Sequence, residues 1–225
     1  MEGTSDAGRR GAWGLVVVVL LIGIHLTRGG AQDLRAEGPP QPAAVAAPGT
    51  TPTPRATVTN ALTPTTPGPT VASLPTSPPT RVRASAVRID APLTAVGLDR
   101  EGWIEPPPPE DEDLAGWFTG AVTPGEQGTA VVVGHVDTPT GRAVFYELGS
   151  LAVGHRVEID RRDGRTAVFA VYGVEVVPKD DFPADRLYAA SGRPELRLIT
   201  CGGTFTRAHG YEGNVVVSAR LVEVR

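Results

Sequence analysis

Cysteine is nearly absent from this sequence, which has 225 residues and a single cysteine, Cys201. One cysteine cannot form a disulfide within its own chain. Neither Cys-x-x-Cys nor His-x-x-x-His spacing occurs, and we expect the acidic run 110–113 to be a solvated loop. The sequence therefore predicts no metal site and no cofactor.

A basic surface is also lacking. The net charge is -4, aromatic residues make up 5%, and no cluster of arginine or lysine is interleaved with them. Proteins that bind nucleic acid usually carry a concentrated positive patch. We therefore expect no nucleic-acid partner.

Long hydrophobic runs are confined to the N-terminus, where Arg9 and Arg10 precede an apolar run at 12–26. This run is shorter than the roughly 20 residues of a typical spanning helix. We interpret residues 1–30 as a cytoplasmic tip followed by a membrane anchor, with a cleaved signal peptide as the alternative. Either interpretation places the rest of the chain outside the cell, and the anchor makes it a single-pass cell-membrane protein.

Residues 31–81 are rich in proline, threonine and alanine and have no periodic apolar face. Such a composition favours extended, disordered chain over a packed core. We expect this segment to be a disordered linker that spaces the following domain from the membrane.

Residues 82–225 consist of short apolar or alternating runs separated by turn residues, which is typical of an all-β domain. Asp163-Gly164 lies between two alternating runs and predicts a hairpin. Helical periodicity is limited to a turn or two at 111–118 and 145–151. The strand spacing predicts a β-barrel or a β-sandwich.

The lone cysteine ends a predicted strand, 195–201, and is followed by two glycines. In an exported protein such a thiol is an intermolecular link, a bystander or a reagent. His135 follows another apolar run, 131–133, and histidine is the usual partner of a reactive thiol. The two residues are 66 positions apart, so only the fold can bring them together.

Three segments resemble the sortases, the cysteine transpeptidases of Gram-positive surfaces: Gly134-His135-Val136-Asp137, Leu198-Ile199-Thr200-Cys201 and the terminal strand 214–219. Gly202-Gly203 and the proline-rich N-terminus are most similar to the actinobacterial class F group. The resemblance covers residues 82–225 and implies an eight-stranded β-barrel, for which we expect one or two short helices.

The resemblance also implies a reaction. Sortases cleave a Leu-Pro-x-Thr-Gly-type (LPXTG) sorting signal between Thr and Gly through a thioacyl-enzyme and then transfer the protein to an amine. The implied partners are surface proteins with a C-terminal sorting signal and a peptidoglycan-precursor or pilin amine. A hydrolase with the same Cys-His chemistry and a non-catalytic wall-binding module remain alternatives.

In this interpretation Cys201 is the nucleophile and His135 carries the proton to and from the reacting amines. Asp137 either orients His135 or caps the following turn. His155 is expected to be structural, in a strand-flanking turn.

The resemblance also implies an arginine that stabilises the oxyanion or holds the substrate. The matching position at the start of the last strand holds Asn214 or Val215 rather than arginine, so Arg207 is our prediction for that role, with Arg197 and Arg220 as the other candidates. We expect further substrate contacts from Asn214, Thr200 and His209.

Overall fold

The computed structural model describes residues 38–42, 71–189 and 192–225, and all of its regular elements lie in the unit Pro39–Arg225. These residues form ten strands, one short α-helix and two 3-10 turns. The strands are β1 (Pro79–Ala84), β2 (Ile89–Val96), β3 (Ala115–Phe118), β4 (Gly128–Val133), β5 (Asp137–Thr138), β6 (Gly141–Arg142), β7 (Arg156–Arg161), β8 (Thr166–Pro178), β9 (Pro194–Thr206) and β10 (Gly210–Val224). The helix is α1 (Ala184–Tyr188), and the 3-10 turns are Ser85–Val87 and Leu148–Ser150.

Eight strands close into a barrel in the order β1-β2-β3-β4-β9-β10-β8-β7, and β5 and β6 form a separate small hairpin. The expectation of an all-β, eight-stranded barrel with few helices is confirmed. Within the barrel, β2 pairs with β3 and β4 pairs with β9 in parallel, and all other adjacent strands pair antiparallel. His135 and Cys201, the two residues predicted to react, lie just past the point where the pairing of β4 with β9 ends.

Helical periodicity at 111–118 does not produce a helix. Leu114 N–H donates to the Asp111 carbonyl in a turn, and the next four residues form strand β3. A window this short fits a strand as well as a helix, and pairing with β2 and β4 decides between them. The run at 145–151 contains the 3-10 turn Leu148–Ser150, and helix α1 had no counterpart among the expected helices.

The barrel has two hydrophobic clusters, and β4 belongs to both. Ala130 and Val132 lie in the interior cluster, whereas Val131 and Val133 pack in a second cluster with Ile199 and residues of β8, β10 and α1. All six residues of β4 are buried, which explains its continuous apolar sequence. The strand that leads to His135 is therefore held on both faces.

The hairpin predicted at Asp163-Gly164 is present and joins β7 to β8. Gly164 has a φ of +80°, a left-handed conformation that glycine adopts without steric cost. Asp163 accepts a hydrogen bond from the Arg165 N–H at 3.1 Å and pairs with the Arg161 side chain at 3.0 Å. Local turn chemistry was sufficient to predict this connection.

The packed domain begins before residue 82. Strand β1 starts at Pro79, and the segment 71–78 lies against the barrel, where Leu74 N–H donates to the Gly125 carbonyl at 2.8 Å. The Arg161 side chain is fully buried and donates to the carbonyls of Pro75 and Pro124. Proline-rich composition concealed these contacts, because they use backbone carbonyls rather than a periodic apolar face.

The predicted membrane anchor at 1–30 and most of the predicted linker lie outside the described residues. Within 38–42, 71–189 and 192–225, no helix has the length and apolar character needed to cross a membrane.

The extended N-terminal boundary can be tested with two truncated proteins that begin at residue 71 and at residue 79. Both keep β1, but the shorter one lacks the Pro75 carbonyl bound to Arg161 and the buried Ser77. Hydrogen bonds to charged groups contribute about 1.5–3 kcal/mol, so we expect the free energy of unfolding to fall by about 2–4 kcal/mol. Urea denaturation measures it, and equal stability of the two proteins would contradict this boundary.

Candidate active site

The register of the parallel pair β4–β9 places the predicted nucleophile and base side by side. Val133 is paired with Ile199, the last match of an uninterrupted register. His135 follows Val133 by two residues, and Cys201 follows Ile199 by two. Because parallel strands run in the same direction, both side chains leave the same end of the pair.

Two hydrogen bonds join the chains beyond the last strand pair. Gly134 N–H donates to the Ile199 carbonyl at 3.2 Å, and the Thr200 hydroxyl donates to the Gly134 carbonyl at 2.8 Å. Thr200 is only 3% exposed, so water cannot substitute for this bond. The backbone immediately before the histidine and the cysteine is thereby fixed.

Gly134 is required because its surroundings leave no space for a side chain. A Cβ at this position would lie 2.7 Å from side-chain atoms of both Val144 and Phe145. Phe145 is fully buried and its N–H donates to the His135 carbonyl at 3.0 Å. The close approach of this segment holds the backbone of His135 against the barrel.

The His135 ring is oriented by the proline-rich segment that precedes β3. Its Nε2 lies 2.7 Å from the Pro107 carbonyl, which can only accept a hydrogen bond. The bond assigns the proton to Nε2 and leaves Nδ1 as the nitrogen that can exchange a proton with a reacting group. Backbone contact thus selects the tautomer, as a carboxylate does at other histidines.

Cys201 and His135 line one cavity of about 420 Å³. Its walls are mostly apolar and include Trp103, Ile104, Phe182 and Tyr188, and its polar lining includes Thr200, Asn214 and Lys179. The volume lies in the range of pockets that enclose a small ligand or a few peptide residues. A thiol and an imidazole therefore face one half-open, largely apolar space.

Two chain segments supply the aromatic walls. Phe182 and Tyr188 flank the start and end of α1 with ring centroids 5.9 Å apart, and burial raises the pKa of Tyr188 to about 12. Trp103 is 58% exposed on the loop between β2 and β3. The Asp99 carboxylate shapes that loop by accepting the N–H groups of Glu101 and Trp103 at 3.0 and 2.8 Å.

The structure places two predicted substrate contacts in this cavity. Asn214 is directly opposite Cys201 in the antiparallel pair β9–β10. Thr200 also lines the cavity, but its hydroxyl is engaged with Gly134. The register thus places Asn214, with its side-chain amide, beside Cys201. Thr200 instead binds the backbone of the neighbouring segment at Gly134.

Arg207 and His209 lie elsewhere. Strand β9 continues to Thr206 and β10 starts at Gly210, so both residues sit in the tight turn of a long hairpin. Arg207 is exposed and lies up to about 20 Å from Cys201 along the strand. His209 lines a second groove of about 770 Å³ that shares Lys179 with the first cavity.

The other two arginine candidates are engaged on the barrel surface. Arg197 is 6% exposed and pairs with Glu195 at 2.7 Å. Arg197 and Arg220 both stack on the Tyr172 ring, at 5.7 and 5.6 Å from its centroid. Neither lines the cavity that contains Cys201.

Asp137 has a role that neither sequence-based alternative anticipated. Its carboxylate accepts the hydroxyl of Tyr211, which ties the segment after His135 to strand β10. Burial, followed by the hydrogen bond to Asp137, raises the pKa of Tyr211, so the phenol stays protonated at neutral pH. The contact fixes the His135 segment from its C-terminal side.

One residue of the acidic run 110–113 contacts the β5–β6 hairpin. Glu112 accepts hydrogen bonds from the hydroxyls of Thr138 and Thr140, which lowers the pKa of its carboxyl. In the part of the chain that the structure describes, no group of three or more His, Cys, Asp and Glu side chains is arranged to hold a metal ion.

Sequence reasoning missed Lys179 and the aromatic walls of the cavity. One signal was present, because Lys179 is the only lysine among 21 lysine and arginine residues. The walls gave no local signal, since Trp103, Phe182 and Tyr188 come from distant segments that only the closed barrel brings together.

The Thr200 bond can be separated from general stability with a matched pair of variants, Thr200→Val and Thr129→Val. Both remove a buried hydroxyl that donates to a carbonyl, Gly134 at 2.8 Å and Ala189 at 2.9 Å. Each should cost about 1 kcal/mol of unfolding free energy. Only Thr200→Val should also slow the reaction of Cys201 with substrate, by tenfold or more, because small misplacements of reacting groups are costly. Equal rates in the two variants would show that the bond does not position the site.

Comparison with known proteins supports an identification. Residues 84–222 match the sortase domain family. Solved structures with the same fold include sortase C1 of the group B Streptococcus pilus island 1, with a TM-score of 0.51, 23% identity and 64% of each chain covered. Sortase C-1 from Actinomyces oris has a TM-score of 0.51 and 21% identity, over 64% of this chain and 73% of that one.

A third structure, Streptococcus agalactiae sortase C1 in complex with MTSET, has a TM-score of 0.50 and 23% identity, over 64% of this chain and 67% of that one. At such identities the likeness concerns the fold. The match spans 64% of the length of the pilus-island sortase C1. Among curated proteins none matches significantly. The family match at 84–222 covers more than half of the 225 residues, and with the closed barrel it shows that this chain belongs to the sortase family.

Proposed function

We propose that this chain is a cysteine transpeptidase that cleaves an LPXTG-type sorting signal between Thr and Gly and transfers the protein to an amine. The observation that carries the proposal is the parallel β4–β9 register, which brings His135 and Cys201 together in the lining of one cavity. Acyl transfer requires this combination of nucleophile and base.

Acylation begins when the Cys201 thiol has passed its proton to Nδ1 of His135 and the resulting thiolate attacks the Thr carbonyl carbon. The C–N bond to Gly then breaks, and His135 gives a proton from Nδ1 to the leaving amine, so that a thioester remains on Cys201. This role agrees with the bond from Nε2 to Pro107, which leaves Nδ1 to exchange protons.

Deacylation reverses these roles. An incoming amine attacks the thioester carbonyl, His135 accepts the proton that the amine loses, and Cys201 departs as the thiolate. The apolar walls favour this outcome because they limit the access of water to the thioester. The same walls suit the Leu-Pro portion of a sorting signal, which buries apolar surface against Trp103, Ile104 and Phe182.

Substrate contacts follow from the places of the predicted residues. Asn214 supplies an amide donor beside Cys201, and Thr200 keeps the nucleophile in position through its bond to Gly134. His209 and Arg207, in the hairpin turn, remain predicted contacts for substrate parts that extend beyond the cavity.

The biological setting is part of the same proposal. Residues 1–30 anchor the chain in the cell membrane with a cytoplasmic N-terminus, and the catalytic domain acts outside on surface proteins and a peptidoglycan or pilin amine. The class F subgroup is proposed from Gly202-Gly203 and the proline-rich N-terminal half.

The proposed reaction is tested by mixing the full chain with an LPXTG peptide in three conditions: no amine, a glycine-type amine or a lysine-type amine. We expect an amine-ligated product in at least one amine condition, identified by mass spectrometry, and no cleavage by Cys201→Ala. Cleavage that yields only the free acid would favour the hydrolase, and the absence of any cleavage would favour the wall-binding module.

The proton carrier is tested with three histidine variants in that assay. His135→Ala should lower turnover by about 10²–10⁴-fold, the usual contribution of general acid-base catalysis. His155→Ala is the control, since His155 accepts the Ala152 N–H at 3.2 Å in a surface turn. His209→Ala should lower turnover far less than His135→Ala, because His209 lies in the hairpin turn and is predicted to contact only outer parts of the substrate. Loss of activity in His155→Ala with normal turnover in His135→Ala would reverse the assignment.

A further inference from the structure

Attack by a thiolate on a peptide carbonyl places a negative charge on the carbonyl oxygen, and neither Cys201 nor His135 neutralises that charge. Enzymes stabilise such an oxyanion with donors or cations fixed in advance. Asn214 offers a neutral donor opposite Cys201. The remaining requirement is a positive charge that faces the same cavity.

Lys179 meets this requirement by its place in the fold. Cys201, Asn214 and Val177 form a row across β9, β10 and β8. With strands about 4.8 Å apart, the row spans about 10 Å from Cys201 to Val177. Lys179 follows Val177 by two residues, just past the end of β8, and lines both the cavity that contains Cys201 and the neighbouring groove.

The position of Lys179 is fixed from its backbone. Its N–H donates to the Glu212 carbonyl at 3.0 Å, which extends the pairing of β8 with β10 beyond the strand end. The oxygen of a peptide carbonyl attacked by Cys201 is separated from Lys179 by the width of the single strand β10. The flexible four-carbon stem of lysine can bring its ammonium to that oxygen.

Other cations near the cavity are engaged. Arg186 on α1 pairs with Glu175 at 2.8 Å, and Arg197 pairs with Glu195 at 2.7 Å. No arginine lines this cavity among residues 38–42, 71–189 and 192–225. Over the same residues, Lys179 forms no ion pair with a carboxylate, so its charge is available to a substrate.

We propose that the Lys179 ammonium, together with the Asn214 amide, stabilises the oxyanion formed when Cys201 attacks the scissile carbonyl. The inference rests on the proposed transpeptidase function and adds a catalytic residue to it. It assigns to Lys179 the role that the sequence alone had given to Arg207.

The test measures kcat and KM of the full chain on an LPXTG peptide for wild type, Lys179→Met, Lys179→Arg and Arg207→Ala. Lys179→Met should lower kcat by about 10²-fold, as the loss of one oxyanion donor does, with KM changed by about threefold at most. Lys179→Arg should recover part of the loss because it keeps the charge in a different shape. Arg186→Met removes one charge outside the cavity and is the matched control.

A second readout separates catalysis from structural damage. Alkylation of Cys201 by iodoacetamide forms no oxyanion, so Lys179→Met should change its rate by only a few fold. An equal loss of alkylation and turnover would overturn the oxyanion role, as would a change confined to KM, which indicates recognition of a substrate carboxylate.

The sole lysine also permits a test without mutation. Reductive methylation keeps the positive charge of Lys179, whereas acetylation removes it. The variant Lys179→Arg has no lysine, so the same treatment of this variant measures the effect of modifying the N-terminal amine alone. Turnover should survive methylation and fall on acetylation, after hydroxylamine has removed any acetyl group from Cys201. Full turnover of acetylated protein or of Lys179→Met overturns the proposal. A wild-type chain that leaves the peptide intact instead contradicts the transpeptidase function itself.

Discussion

The parallel pairing of β4 with β9 is the constraint on which the rest of the site depends. It is set by burial, because every residue of β4 is buried and a shift of register would move apolar side chains out of both clusters. Once Val133 is opposite Ile199, the residues two positions further along each chain, His135 and Cys201, are adjacent. The buried bond from Thr200 to Gly134 then fixes that adjacency at the point where regular pairing ends. The same strand pairing therefore stabilises the barrel and positions the thiol and the imidazole.

The remaining parts of the cavity are arranged around this pair by separate segments. The proline-rich segment before β3 contributes the Pro107 carbonyl that orients His135, and the β2–β3 loop contributes Trp103. Helix α1 and its approach add Phe182 and Tyr188. Polar groups come from Asn214 on β10, the neighbour of β9, and from Lys179 just past the end of β8, the next strand beyond β10. The cavity that contains Cys201 thus combines a mostly apolar lining with a few polar groups.

Residues whose roles follow from local patterns could be predicted from the sequence. Cys201 and His135 each end an apolar run, and Asp163-Gly164 marks a hairpin, so no long-range information was needed. Arg207 was assigned on the assumption that a loop follows Cys201. The strand instead continues through Gly202-Gly203 to Thr206, which carries Arg207 to the far turn. Lys179 lies in the cavity because β8 and β9 are both neighbours of β10, a relation between distant segments that no local pattern encodes.

The most direct test of the account is to observe the acyl-enzyme itself. Intact-protein mass spectrometry is carried out on the full chain within the first turnovers on an LPXTG peptide, followed by peptide mapping. The account predicts a mass increase equal to the peptide up to its threonine, located on Cys201 and discharged by an added amine as the ligated product. An adduct on another residue, or peptide cleavage that proceeds without any adduct on Cys201, would contradict it.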